Sequence, residues 1–138
     1  MNNKKDFNNN TIFLKGDPLP EQFSKYFIGK AYLNMLTTTG VPIGNVTFEP
    51  KCRNNWHIHH KGGQILLVTE GRGWYQEWGK EPQELHPGDV VNIPPEVKHW
   101  HGASKDSTFS HLAIEVPAEG SSNEWLEAVT DEVYGKLK

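Results

Sequence analysis

Short apolar segments alternate with Gly/Pro punctuation along most of this chain, and that rhythm restricts its fold more than any other feature. The spacing is about ten residues, which indicates an all-β sandwich or barrel. The strands predicted are Ala31–Thr37, Gly44–Glu49, Gln64–Glu70, Arg72–Gln76, Gln83–Leu85, Val90–Ile93 and Ser110–Val116. Turn signals separate them: Thr39-Gly40-Val41-Pro42, Glu49-Pro50, Glu70-Gly71-Arg72-Gly73, Trp78-Gly79-Lys80, His86-Pro87-Gly88-Asp89 and Ile93-Pro94-Pro95. Side chains alternate along a strand. Leu112 and Ile114 therefore oppose His111, Ala113 and Glu115, and Ile65-Leu66-Leu67-Val68 is apolar on both faces. One face fits a barrel interior, and the other predicts packing on a second sheet or subunit, hence a homodimer or higher homo-oligomer. Near the end, Ser121-Ser122-Asn123 supplies N-cap candidates and Glu124 and Glu127 suit a first turn. Trp125, Leu126, Val129 and Val133 recur at helical spacing, so a short C-terminal helix is predicted there.

The chain has 138 residues, enough for one domain with a sizeable core. Residues 1–20 are expected to be a flexible tail, because the opening Met1 to Asn10 is strongly polar, and residues 21–138 the folded domain. Apolar content is 36%, below the usual range of about 45–50%, partly because of that opening. Thr11-Ile12-Phe13-Leu14 is too short for the apolar run of a secretory signal, and no stretch is long and apolar enough to span a bilayer. A cytoplasmic location and no membrane partner are expected. Formal charge is −3 with no basic cluster, which argues against nucleic acid. A single cysteine, Cys52, excludes an internal disulfide.

The stretch Trp56-His57-Ile58-His59-His60 holds three of the seven histidines. His57 and His59 share a strand face. Gln64 follows the Gly62-Gly63 turn, which can bring it back beside them. His99 follows Pro94-Pro95 on a second segment. Converging imidazoles suit zinc, iron, nickel, copper and manganese to differing degrees. His60 falls on the opposite face and reads as surface, and His86 as part of a turn. His101 shares the parity of His99, as a neighbouring group or a spare. Trp56, Trp74, Trp78 and Trp100 are either core packing or pocket walls.

These residues resemble the cupin superfamily. Its first motif, Gly-x5-His-x-His-x3–4-Glu-x6-Gly, is met by His57-x-His59-x4-Gln64-x6-Gly71. Its second, Gly-x5-Pro-x-Gly-x2-His-x3-Asn, is met by Gly88-x5-Pro94-x-Glu96-x2-His99-x3-Ala103. Lys51, Gln64, Glu96 and Ala103 stand where the motifs have Gly, Glu, Gly and Asn. The resemblance implies a double-stranded β-helix, the cupin or jelly-roll barrel. It also implies one divalent metal ion (manganese, iron, zinc or nickel, with manganese or iron favoured) on His57, His59, Gln64 and His99.

A narrower resemblance rests on Val46-Thr47-Phe48-Glu49-Pro50, Gly73-Trp74, His86-Pro87-Gly88-Asp89-Val90-Val91, Lys98-His99-Trp100-His101-Gly102-Ala103, His111-Leu112-Ala113-Ile114 and Val129-Thr130-Asp131-Glu132. These look like the small cupins that act as (R)-selective hydroxynitrile (mandelonitrile) lyases. The similarity runs from Gly44 to Tyr134. It implies His111 as catalytic base and Gly44 and Val46 as pocket-lining positions. Trp100 beside His99, His101, and Glu115 beside His111, the last where the lyases carry Gln, are further candidates for the substrate pocket. Three neutral imidazoles and a neutral Gln64 leave a divalent ion its full +2 charge. That favours Lewis-acid chemistry on a small carbonyl or cyanohydrin over redox chemistry. The alternatives are an oxygenase or isomerase of small organic acids, and a non-catalytic small-molecule binding module.

Overall fold

In the computed structural model, which describes residues 12–138, the strand rhythm becomes two antiparallel sheets. The strands are β1 Asp17–Pro18, β2 Phe27–Ile28, β3 Ala31–Thr37, β4 Ile43–Phe48, β5 Arg53–Asn54, β6 His57–His60 and β7 Gln64–Gly71. They continue as β8 Gly73–Glu77, β9 Gln83–Leu85, β10 Val90–Ile93, β11 His99–Ala103, β12 Phe109–Glu115 and β13 Ser122–Trp125. Two four-residue helices, α1 Glu21–Ser24 and α2 Asp131–Tyr134, complete the described residues. The six-stranded sheet runs β10-β7-β12-β4-β3-β1. The seven-stranded sheet runs β9-β8-β11-β5-β2, with β6 paired to both β11 and β13. This is the jelly-roll barrel that the motifs imply.

Alternation decides what lies between the sheets. Gln64, Leu66 and Val68 of β7 are buried, while Ile65 and Leu67 are half-buried on the outer face. Phe48, Leu66, Val68, Tyr75, Leu85, Val91, Ile93, Ala103 and Phe109 form the central core. Gly71 links β7 to β8 with φ +76°, and a Cβ there would lie 1.8 Å from the Thr108 carbonyl oxygen. No other residue fits that turn.

Of the tail expected over residues 1–20, residues 1–11 lie outside the described residues. Farther along, Asn34 and Asn45 side-chain amides donate to the Leu14 carbonyl, and Asp17–Pro18 pairs with Leu33 and Tyr32. No helix among the described residues is long and apolar enough to cross a membrane.

The C-terminal region corrects the sequence reading in part. A helix is present, but it is α2, capped by Thr130, whose Oγ1 accepts from Val133 N. Ser121–Asn123 do not cap it. Ser122–Trp125 is a strand that pairs with His60–His57. The exposed edge of β6 offers these residues a full hydrogen-bond ladder, which outweighs their capping tendency. Beyond it, Val129, Tyr134 and Leu137 pack on Trp56, Trp74 and Trp100, covering the outer face of the seven-stranded sheet. Buried Arg53 donates to the Val129 carbonyl and to Asp131, and Tyr134 Oη donates to the Ala103 carbonyl.

Candidate metal centre

β6 and β11 are paired with His57 opposite His99. Strand parity then turns His57, His59, His99 and His101 to the interior, where exposure of each is 5% or less. The ring centroids of His57, His59 and His99 are 4.2–5.2 Å apart. Each of these three rings has its Nδ1 hydrogen engaged. His57 donates to the Asn55 carbonyl (2.8 Å), His99 to the Val97 carbonyl (2.9 Å) and His59 to Asn123 Oδ1 (2.7 Å). Carbonyl oxygens only accept, so Nδ1 carries the proton and Nε2 keeps a bare lone pair.

Nε2 of His59, Nε2 of His99 and Oε1 of Gln64 are buried with no protein partner. Leaving such a group unsatisfied costs about 1–3 kcal/mol each. These three orphaned acceptors, two on neighbouring rings and one on the amide, have the donor chemistry a divalent cation requires. The Gln64 nitrogen is occupied, because Nε2 donates to Glu115 Oε2 at 2.6 Å.

A second grouping overlaps the first. One ring nitrogen each from His57, His99 and His101 lie within 4.8 Å of one another, a set able to hold a metal ion. His101, however, has Asn54 Nδ2 at 3.3 Å from its Nε2, and its own backbone N–H donates to Asn54 Oδ1. The His101 ring thus has a donor already facing it, whereas the His59 and Gln64 acceptors have none.

Burial keeps the rings of His57, His99, His101 and His111 neutral. It pushes His57 well below the ordinary imidazole value, with the nearby His99 adding to the effect, and holds His101 well below as well. It brings His99 and His111 down to about 4. Neutral imidazole is the form that ligates.

His111 lies on β12 beside an irregularity in register, where Ser110 pairs with Glu70 and His111 with Val68. Such a bulge re-aims a side chain. The ring is fully buried between Phe48 and Phe109, 4.9 Å from His101 by centroids, and neither nitrogen has a partner. The Glu115 carboxylate bonds Gln64, not His111.

The expected pocket residues separate. A cavity of about 330 Å³ opens beside His59, lined also by Gly63, Glu115, Val116, Ser122 and Asn123. Glu115 is on its wall; Gly44, Val46, Trp100 and His101 are not. Val46 and Gly44 pair with His111 and Ala113 deeper in the barrel, and a Cβ at Gly44 would meet the Leu33 and Met35 side chains at 2.9 and 3.0 Å. Trp100 is corrected outright. With His99 and His101 facing inward it faces outward, fully buried in the C-terminal cluster, its Nε1 donating to Gln76 Oε1.

His60 stays at the surface, between Glu96 (2.6 Å) and Glu124 (2.8 Å). Both carboxylates raise its pKa, Glu124 the more. The sequence reading missed Asn123 and Trp125. Trp125 stacks on the His57 ring at 4.6 Å and on Tyr26 at 4.7 Å.

Known proteins resemble this chain in sequence and fold. Residues 44–115 match the family model of the cupin domain. An (R)-mandelonitrile lyase of Granulicella tundricola is 50% identical over 90 residues, which cover 65% of this chain and 68% of that protein. An acireductone dioxygenase of Bacillus pumilus is 27% identical over 66 residues, 45% of this chain but only 38% of that protein. The crystal structure of a cupin-like protein from Thermotoga maritima superposes with a TM-score of 0.83 at 43% identity, covering 91% of this chain and 96% of that one. With the family model spanning more than half its length, and with the barrel and its clustered imidazoles in place, the chain belongs to the cupin domain family.

Proposed function

We propose that this cupin is a metal-dependent lyase acting on small carbonyl or cyanohydrin-type molecules, with the ion held by His57, His59, Gln64 and His99. The observation that carries the reading is the clustering of the His57, His59 and His99 rings, with buried, partnerless acceptors on His59 and His99 and a further one on Gln64. A divalent ion there, manganese or iron by resemblance, supplies Lewis-acid polarisation of a substrate oxygen. His111 is the base: neutral and unpartnered on both nitrogens, it is free to take one proton and return it. In cyanohydrin cleavage it accepts the hydroxyl proton while the bond to the nitrile carbon breaks. The products are a carbonyl compound and cyanide, which recovers the proton as hydrogen cyanide. The relative named as a mandelonitrile lyase supports the same chemistry.

The test is cleavage of mandelonitrile and of a small aliphatic cyanohydrin by metal-loaded protein. Removal of the ion with a chelator should abolish turnover. His111→Ala should lower it by about 10²–10⁴-fold. An unchanged rate in His111→Ala removes His111 as the base. Oxygen consumption by the ferrous protein would favour the oxygenase alternative, which the dioxygenase relative raises. The uncharged Gln64 weighs against it, since a higher oxidation state would be poorly compensated.

A further inference from the structure

Gln64 opens β7, Glu115 closes β12, and the two are paired across the ladder. Gln64 Nε2 donates to Glu115 Oε2 at 2.6 Å. A side-chain amide has one donating and one accepting end, so a neighbour that only accepts decides which end turns away from it. With its nitrogen held, Gln64 directs Oε1 into the interior, where it has no partner. Gln64 is 8% exposed, so solvent does not supply one.

We propose that Glu115 is a positioning residue: its carboxylate fixes the Gln64 amide with oxygen toward the cation and places one negative charge a hydrogen bond outside the donor set. This deepens the metal-dependent reading and rests on it. A carboxylate at 64 would bind the ion directly and neutralise half its charge. The arrangement here keeps the donors uncharged while holding the compensating charge nearby. Glu115 therefore makes Gln64 serviceable as a ligand, and carboxylates at 64 and 115 together would repel. Glu115 also lies on the cavity wall, so the anchor of the buried amide is reached from the cavity, and an unanchored amide would be free to rotate nitrogen-first.

The experiment measures zinc affinity by competition with a chromophoric chelator, with folding checked by circular dichroism. The variants are Glu115→Met, Glu115→Gln, Gln64→Glu and the exchange Gln64→Glu/Glu115→Gln. Outer partners of ligands are typically worth about 10–100-fold in metal affinity, and Glu115→Met should lose that much. Glu115→Gln still offers an accepting oxygen and should recover most of it. Gln64→Glu alone should give little gain, whereas the exchanged pair should bind tighter than the parent. The Gln64 side-chain amide signal should be shifted and slow to exchange in nitrogen–proton spectra of the parent and of Glu115→Gln, but not of Glu115→Met. A folded Glu115→Met with parental affinity, or a Gln64→Glu gain equal to that of the exchange, overturns the inference while leaving the metal site standing. A parent protein that binds no better than His59→Ala overturns the metal site and this inference together.

Discussion

Asn123 Oδ1 accepts the Nδ1 hydrogen of His59 across the pairing of β6 with β13, at 2.7 Å. An exposed residue on an edge strand thereby fixes the tautomer of a ring that is 4% exposed. The ladder with β6 thus also brings an acceptor to His59 Nδ1, which leaves Nε2 of that ring a bare lone pair.

Replacing Asn123 by Leu should therefore weaken divalent-metal binding by about 10–100-fold while leaving the barrel folded. Asn123→Asp, which retains the acceptor, should match or exceed the parent. Chelator competition measures both.

Acid should destabilise the metal-free protein. His99 and His111 have pKa values of about 4 in the folded chain because they are buried, against 6.5 when free. Below pH 6.5 the unfolded chain takes up protons that the folded chain refuses. The stability these groups contribute is complete above pH 6.5 and is lost as pH falls toward 4, on the order of 3 kcal/mol for each ring. Urea midpoints of metal-free protein at pH 7 and pH 5 should show the loss. His111→Leu should lessen the slope by about one proton.

Two residues that replace motif glycines stand in left-handed backbone, Lys51 at φ 75° and Glu96 at φ 70°. For non-glycine residues this costs about 1–2 kcal/mol. Lys51→Gly should stabilise the fold by about 0.5–1 kcal/mol, once the greater freedom of glycine in the unfolded chain is set against it. Glu96→Gly should not, because Glu96 also accepts from His60 Nδ1 and from the Lys61 backbone N–H. Denaturant melts of both variants distinguish the two cases.

The outer face of the six-stranded sheet presents Ile65, Leu67, Leu112 and Ile114, which pair side by side and are half-buried, next to Val90 at 63% exposure. An uncharged apolar surface of this kind matches a second copy of itself. Light scattering should report a dimer for the parent and a monomer for Leu112→Glu. A monomeric parent would show that this face stays wet.

Where single-strand periodicity was enough, the sequence was readable. Ala31–Thr37, Gln83–Leu85 and Val90–Ile93 fall where turn signals bound them, and His57 and His59 share a face because they are two apart. The same parity places Trp100 opposite His99 and His101, so its absence from the pocket was legible too. What required partners was not. Ser122–Trp125 carries a helix-start composition, and only the open edge of β6 makes it a strand. Gln64 and Glu115 are 51 positions apart, and nothing local to either announces their bond.

The aromatic pile of Tyr26, Trp125 and His57 has a consequence for any shortened version of this protein. Tyr26 precedes the stretch that matches the family model, residues 44–115, and Trp125 follows it. A fragment trimmed to that stretch would keep all four proposed ligands yet lose both plates that back one of them. The His57 ring would then be left to swing, and such a minimal barrel should take up ions more loosely than its intact donor inventory suggests.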